Sequence, residues 1–306
     1  MGAAPSSVMG PEGYGRERGQ TSLGDMPEGC VAAVLLYLDP PEICHVARLN
    51  RAFRGAASAD CVWTAKFPAN YRYLAALAAA ADDDCGCDDP TEGNVRCCSS
   101  ATIKKEIYAR LCRPTHFDGR TKEFWIEKNK GGLCMSISSK AMSITGIDDR
   151  RYWSHLSTEE SRFHSVAYLH QIWWLEVVGE VDFCFPAGSY SLFFRLHLGP
   201  PHKWMGRRVR SSELIHGWDI KPTRFQLSTS DDQHSTSEHY LERPGAWILH
   251  HVGDFVVSSS DELTKLKFSM MQIDCTHTKG GLCVDSVLIY PKDHQHEECI
   301  IYEQIL

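Results

Sequence analysis

Beyond Thr121 the apolar residues of this chain recur at every second position, and that period constrains the fold more than any other feature. CMSISSKAMSITG, SVAYLHQIWWLEVVGEVDFCF, SYSLFFRLHLG, TRFQLSTS, GAWILHHVGDFVV, TKLKFSMMQIDC and GGLCVDSVLIYP are short apolar or alternating runs. They are rich in β-branched and aromatic residues and are bounded by Gly, Pro, Asp or Ser, as strands joined by turns are. Alternation buries one face of each strand, so the expected architecture for 121–306 is an antiparallel β-sandwich, jelly-roll-like in form. No internal repeat accompanies it.

The first third of the chain reads differently. Met1 to Gln20 is Gly, Pro, Ser and charge without periodicity, which predicts a disordered segment over 1–20. Residues 21–68 then carry short apolar stretches cut by prolines: Met26-Pro27-Glu28, CVAAVLLYL, Asp39-Pro40-Pro41-Glu42 and ICHVARLNRAF. Pro27 suits a first helical turn, Pro40-Pro41 separates two helices, and Glu42 places a carboxylate where the helix dipole favours it. The reading is a compact helical hairpin or trio. Residues 69–120 form a helical linker whose alanine run leads into an acidic, Cys-rich insert between Ala75 and Ser100, expected to be a flexible excursion. Ile103, Ile107 and Leu111 then mark an amphipathic helix closed by Pro114.

The length of 306 residues suits two domains, and 43% apolar residues with eight Trp supply a sizeable core. A net charge of −7 gives no overall basic field, so nucleic acid is not an expected partner. No run reaches the roughly 18 apolar residues of a membrane helix, and the opening lacks a hydrophobic signal core, so the expectation is a chain of the cytoplasm and nucleus. Thirteen cysteines make an odd count, and reduced thiols are expected. Cys85, Cys87, Cys97 and Cys98 lack the usual zinc spacing, and no metal or cofactor is expected. Gly2 fits the loose pattern for N-myristoylation, a pattern short enough to arise by chance. A nucleophile elbow, a phosphate loop and paired metal-binding histidines are all missing, which points to a binding protein rather than an enzyme.

The segment from Leu23 to Pro68 resembles the F-box, with its proline opening, paired hydrophobic helices around a proline turn and a terminal Trp. The matching positions are Pro27, Leu35, Leu38, Pro40, Ile43, Val46, Leu49 and Trp63; Met26 and Phe53 stand where the family more often has Leu and Trp. The resemblance implies that these residues dock a Skp-type adaptor and, through it, a cullin ubiquitin ligase. A module this short buries little surface alone, which leaves apolar positions for a partner helix.

The larger domain resembles the phloem protein 2 family, also called Nictaba-like lectins, in the stretches from Gly131 to Trp153, Val166 to Val181, Ser189 to Leu198, Arg243 to Phe255 and Gly280 to Pro291. An F-box followed by such a domain is a known plant combination. The resemblance implies a carbohydrate site with two Trp residues; the first is replaced here by Gly146, whereas Tyr152-Trp153 is kept. Sugar recognition needs a flat aromatic face with polar groups beside it. Trp153 and Tyr152, with Asp148 and Asp149 as acceptors, are therefore the expected carbohydrate-binding residues for an N-acetylglucosamine-type glycan, with Trp153 equally readable as core. Trp173 and Trp174 fall on opposite faces if they lie in a strand, one core and one partly exposed. Trp247 reads as core. The function these features imply is the target-recognition subunit of a ubiquitin ligase; the alternatives are a nucleocytoplasmic carbohydrate-binding protein without a ligase role, and a protein-interaction module that has lost sugar binding.

Overall fold

A computed structural model describes residues 26–83, 104–200 and 214–292. The segment 1–20 with Gly2, and Cys85, Cys87, Cys97 and Cys98, lie outside the described residues.

Among the described residues six helices precede the strands: α1 (Glu28–Leu35), α2 (Pro40–Val46), α3 (Arg51–Ala56), α4 (Asp60–Thr64), α5 (Tyr71–Asp83) and α6 (Lys104–Leu111). Their starts follow from local chemistry. Pro40 opens α2 where no amide partner is needed, and Asp39 and Glu42 form a reciprocal capping box, with Glu42 Oε2 accepting from Asp39 N at 3.1 Å. Asn50 caps α3 by accepting from Phe53 N at 2.9 Å. The alanine run belongs to α5, with Leu74 and Ala78 buried, so the helix holds through Asp83 where a flexible excursion was expected to begin at Ala75. None of the described helices is long and apolar enough to cross a membrane.

All strand pairs are antiparallel. One sheet runs in the order β1 (Thr115–Phe117), β2 (Lys122–Ile126), β3 (Leu133–Ser138), β13 (Leu282–Pro291), β6 (Ser165–Leu169), β5 (Trp153–Ser157). On its other edge β13 pairs β8 (Gly188–Leu198), which pairs β11 (Trp247–Val257). The second sheet runs β10 (His234–His239), β9 (Thr223–Thr229), β12 (Thr264–Gln272), β7 (Leu175–Phe183), β4 (Ser143–Ile144). Strand pairing thus begins at Thr115, ahead of the expected boundary at 121.

The inner faces of the two sheets meet through Phe194, Phe225 and Phe268, whose rings lie 5.6 and 5.9 Å apart across the gap. Each buried aromatic of this kind contributes about 1.5–3 kcal/mol from area removed from water. Along β7 the alternation is regular, with Leu175, Val177, Gly179, Val181 and Phe183 inward and Glu176, Val178, Glu180 and Asp182 outward. The larger sheet is also covered on its outer side. There Arg195 and Asp285, both buried, pair at 2.6 Å, and the Arg195 guanidinium lies 4.3 Å from the Trp247 ring. Trp247 is therefore a half-buried outer-face residue whose indole donates to Glu160 at 2.8 Å, not a residue of the inner core.

The helices are welded to the strands. Tyr108 of α6 packs against Trp63 and Phe67, with ring centroids 5.4 and 5.6 Å away, and donates to Glu127 O just beyond β2. Asn70 donates to Cys184 O at 2.6 Å, and Tyr73 meets Phe183 edge-on at 5.4 Å. Gly131, in the turn between β2 and β3 with φ +72°, comes so near α4 that a Cβ there would stand 2.7 Å from Lys66 O.

His250 of β11 stacks on Phe225 at 5.7 Å beside His239 at 6.0 Å, and burial followed by the neighbouring imidazole lowers its pKa from 6.5 to about 4. An unfolded chain binds a proton at His250 that the folded chain refuses between these values, so this group's contribution is full above pH 6.5 and is lost as the pH falls towards 4. Urea midpoints at pH 7 and pH 4.5 should differ less in His250→Phe than in the unsubstituted chain; an unchanged difference would remove His250 as a source of acid sensitivity.

Candidate functional site

Two surfaces at separate places hold the sequence-predicted residues. The first is on the helical module. Its interior is Val31, Leu35, Ile43, Phe53, Val62 and Trp63, with Trp63 donating to Ala57 O at 2.8 Å. Leu35 and Ile43 are 0% exposed, Trp63 is 2% exposed and Pro40 is buried, so these four shape the module instead of facing a partner. Pro27 and Leu49 are exposed, and Leu38 and Val46 are half-buried. The same module exposes apolar residues that the motif match did not single out, Val34 (49% exposed), Leu36 (41%) and Tyr37 (90%), besides Leu49 (65%). The reason is local. α1 ends at Leu35, and the turn that follows sends Leu36 and Tyr37 outward before Pro40 restarts the helix. Adjacent exposed Leu, Tyr and Val on a small module form the kind of patch that marks an interaction surface.

The second surface is the turn from Thr145 to Tyr152 and its neighbours. Thr145 donates through both its amide and its hydroxyl to Glu176 O at 3.0 and 3.1 Å, which ties the turn to the start of β7. Trp153 is 1% exposed and its indole donates to Thr145 O at 2.9 Å, so it pins the turn from beneath and is core rather than a stacking platform. Tyr152 is half-buried with the Arg151 guanidinium 5.4 Å from its ring. Asp149 is committed to Arg151 at 2.6 Å, and that hydrogen bond holds its carboxyl below the usual carboxylate range. Asp148 is exposed.

Gly146 has φ +71°, a conformation that side-chain-bearing residues rarely adopt, and a Cβ there would stand 3.2 Å from the Tyr152 ring. Its neighbour Ile172 leads to Trp173 and Trp174, which are 52% and 46% exposed. The expectation that one of them is core assumed a strand; both precede β7 in a bend, so alternation does not apply to them. The bend is held from inside by Lys279, itself 0% exposed, whose ammonium donates to Trp173 O, Gln272 O and Asp274 O at 2.6, 3.1 and 2.8 Å. Burial lowers the pKa of this ammonium, and three carbonyl acceptors compensate for its lost water. The Ile172 and Lys279 backbones also exchange both hydrogen bonds, at 2.8 and 2.9 Å. The result is a fixed frame that displays two indole rings directly after Ile172, whose side chain lies against Gly146. Among the described residues no group of three or more His, Cys, Asp or Glu could hold a metal.

The comparisons with known proteins now bear on this arrangement. Residues 132–291 match the model of the family described as "Phloem protein 2". The chain is 55% identical over 293 residues to F-box protein PP2-A13 of Arabidopsis thaliana, with 95% of each chain covered. It is 56% identical over 270 residues to F-box protein PP2-A12 of the same plant, covering 88% of this chain and 87% of that one. With F-box protein PP2-A11 it shares 52% identity over 280 residues, 91% of each. A matched domain that runs from β3 to β13, in F-box relatives aligned over nearly the whole chain, places the chain in the phloem protein 2 family as a plant F-box protein.

Proposed function

We propose that this chain is the substrate-recognition subunit of a Skp-cullin-F-box ubiquitin ligase. In this reading the helical module docks a Skp-type adaptor, and the β-sandwich, jelly-roll-like domain captures a target that carries a glycan. The observation that carries it is the exposure of the large apolar residues Val34, Leu36, Tyr37 and Leu49 on a module whose core is already filled by Val31, Leu35, Ile43, Phe53 and Trp63. Burying two or three such side chains against a partner helix contributes about 1.5–3 kcal/mol each. No catalytic residues are required of such a subunit, because holding a target near a separate conjugating enzyme supplies the rate. The setting proposed is the cytoplasm and nucleus.

A second reading, a carbohydrate-binding protein without a ligase role, is favoured by one observation, the framed pair Trp173 and Trp174 beside Gly146. In either reading these two rings, with Asp148 as an acceptor, take over the stacking role that Trp153 cannot fill from the core. Restoring the family's ring directly at Gly146 is a poor test, since a left-handed backbone costs a non-glycine residue about 1–2 kcal/mol.

Two measurements separate the readings. In a pull-down with a Skp-type adaptor, Tyr37→Asp and Leu49→Asp should each cut capture by about tenfold or more, while the melting temperature stays within about 2 °C because both side chains are exposed. Full capture by both variants, or none by the unsubstituted chain, removes the ligase reading. On an array of N-acetylglucosamine-type glycans, Trp173→Ala combined with Trp174→Ala should weaken binding by about thirtyfold, at about 1 kcal/mol per stacked ring. A signal that survives their removal but is lost in Tyr152→Ala would return the site to the turn alone.

A further inference from the structure

The end of the β domain that carries Trp173 and Trp174 also exposes two aliphatic residues, Ile220 and Ile273, that neither surface described above uses. Their segments converge on Lys279, whose ammonium gathers Trp173 O, Gln272 O and Asp274 O. The turn that exposes Ile220 is pinned to the same place, because Gln272 Nε2 donates to Lys221 O at 2.6 Å and the buried Trp218 donates to Gly280 O at 2.7 Å. Gln272 is buried, so alternation turns Met271 and Ile273 outward. The ladder between β7 and β12 ends with Leu175 opposite Gln272, which makes Trp174 and Ile273 the first residues beyond it on either side. A hollow of about 280 Å3 opens there, with Met271, Ile273 and Pro222 as its apolar lining.

The charges around this shelf do not cancel. Arg224 and Glu238, which also line the hollow, neutralise each other at 3.0 Å. Asp219 and Lys221 flank Ile220, Asp274 follows Ile273, and Glu176 lies opposite Met271 in the ladder. None of these four has an ion-pair partner among the described residues. Three carboxylates against one ammonium give the shelf a net negative setting, which attracts a cation.

Two occupants fit poorly. Four half-exposed side chains offer on the order of 400 Å2, about half of what each partner buries in a stable dimer, and a second copy would bring the same negative surface against itself. Entry into a bilayer would strip water from four charged groups, and the carboxylates would repel anionic headgroups. A polypeptide meets both features at once: one large apolar side chain fills the hollow, and a neighbouring Lys or Arg reaches Asp219 and Glu176.

We propose that this shelf docks the polypeptide of the target, taking an apolar side chain flanked by lysine or arginine next to the indole pair. The inference rests on the reading that this end of the β domain captures the target, and it adds the class of segment that is selected.

The test uses the full chain and synthetic peptides with Lys-Leu-Lys, Glu-Leu-Glu or Lys-Ser-Lys at the centre of a Gly-Ser background, each made with and without an N-acetylglucosamine disaccharide on a terminal Asn, titrated calorimetrically. The Lys-Leu-Lys peptide should bind at least about tenfold more tightly than the other two. Ile220→Ser with Ile273→Ser should abolish the preference for Leu while the melting temperature stays within about 2 °C, since both side chains are exposed. Asp219→Lys with Glu176→Lys should reverse the charge preference. Trp173→Ala with Trp174→Ala should weaken the glycosylated peptides and leave the plain ones within about twofold. If the disaccharide adds nothing while the peptide preferences hold, the glycan reading fails and the shelf stands. If glycosylated peptides bind through the indoles with no preference among the sequences, the glycan reading stands and the shelf is overturned. Binding of no peptide, or indifference to the Ile220 and Ile273 substitutions, overturns it as well. So does self-association in sedimentation equilibrium, or capture by phosphatidylcholine vesicles, that those substitutions abolish, because either result assigns the shelf to another occupant.

Discussion

The seam between the helices and the strands is the constraint on which the molecule depends. Tyr108 stands at its centre, packed on Trp63 and Phe67 and bonded to Glu127 O, with Asn70 on Cys184 O and Gly131 against Lys66 O extending it. Burial raises the Tyr108 pKa, so the phenol stays a donor at all physiological pH. Trp63 belongs to the helical core and to this seam at once. The residue that ends the F-box pattern therefore serves to fix the module's orientation towards the β domain. In the proposed receptor role this matters, because a target is presented usefully only if the docking end and the capture end keep a set geometry. Lys66, which donates to Leu36 O at 2.8 Å, links the same seam to the turn that carries Tyr37.

A common logic runs through the binding surfaces. In each, a buried polar or aromatic residue holds a short irregular segment so that its neighbours face water. Trp63 does so for the helical module, Trp153 for the turn at Thr145, and Lys279 for the bend at Trp173. Exposing Trp, Tyr and Leu in water is tolerated because these inner residues leave the segments no way to fold them inward. The residues that carry the motif and the residues available to a ligand thus overlap only in part, Leu49 belonging to both.

This explains how much could be read from the chain alone. The period-two runs located most strands, Pro40 located the start of α2, and the two-part organisation followed from the change of period. The role of each tryptophan did not. Trp153 and Trp174 look alike in sequence, yet one is sealed beneath a turn and the other stands in a bend before β7, a difference created by hydrogen bonds from residues far along the chain. Lys279 gave no signal, since a lysine beside a Gly-Gly turn reads as an ordinary surface residue. The alanine run was read as an excursion because composition alone does not reveal that Leu74 and Ala78 pack against the neighbouring elements.

The most direct test of the central claim, that the helical patch is the docking end and the rigid seam keeps it apart from the capture end, is amide hydrogen exchange of the full chain with and without a Skp-type adaptor. Exchange should slow within residues 28–49 and stay unchanged in the Thr145 turn and the Trp173 bend. Slowing in the turn or the bend with none around Tyr37 would contradict the account.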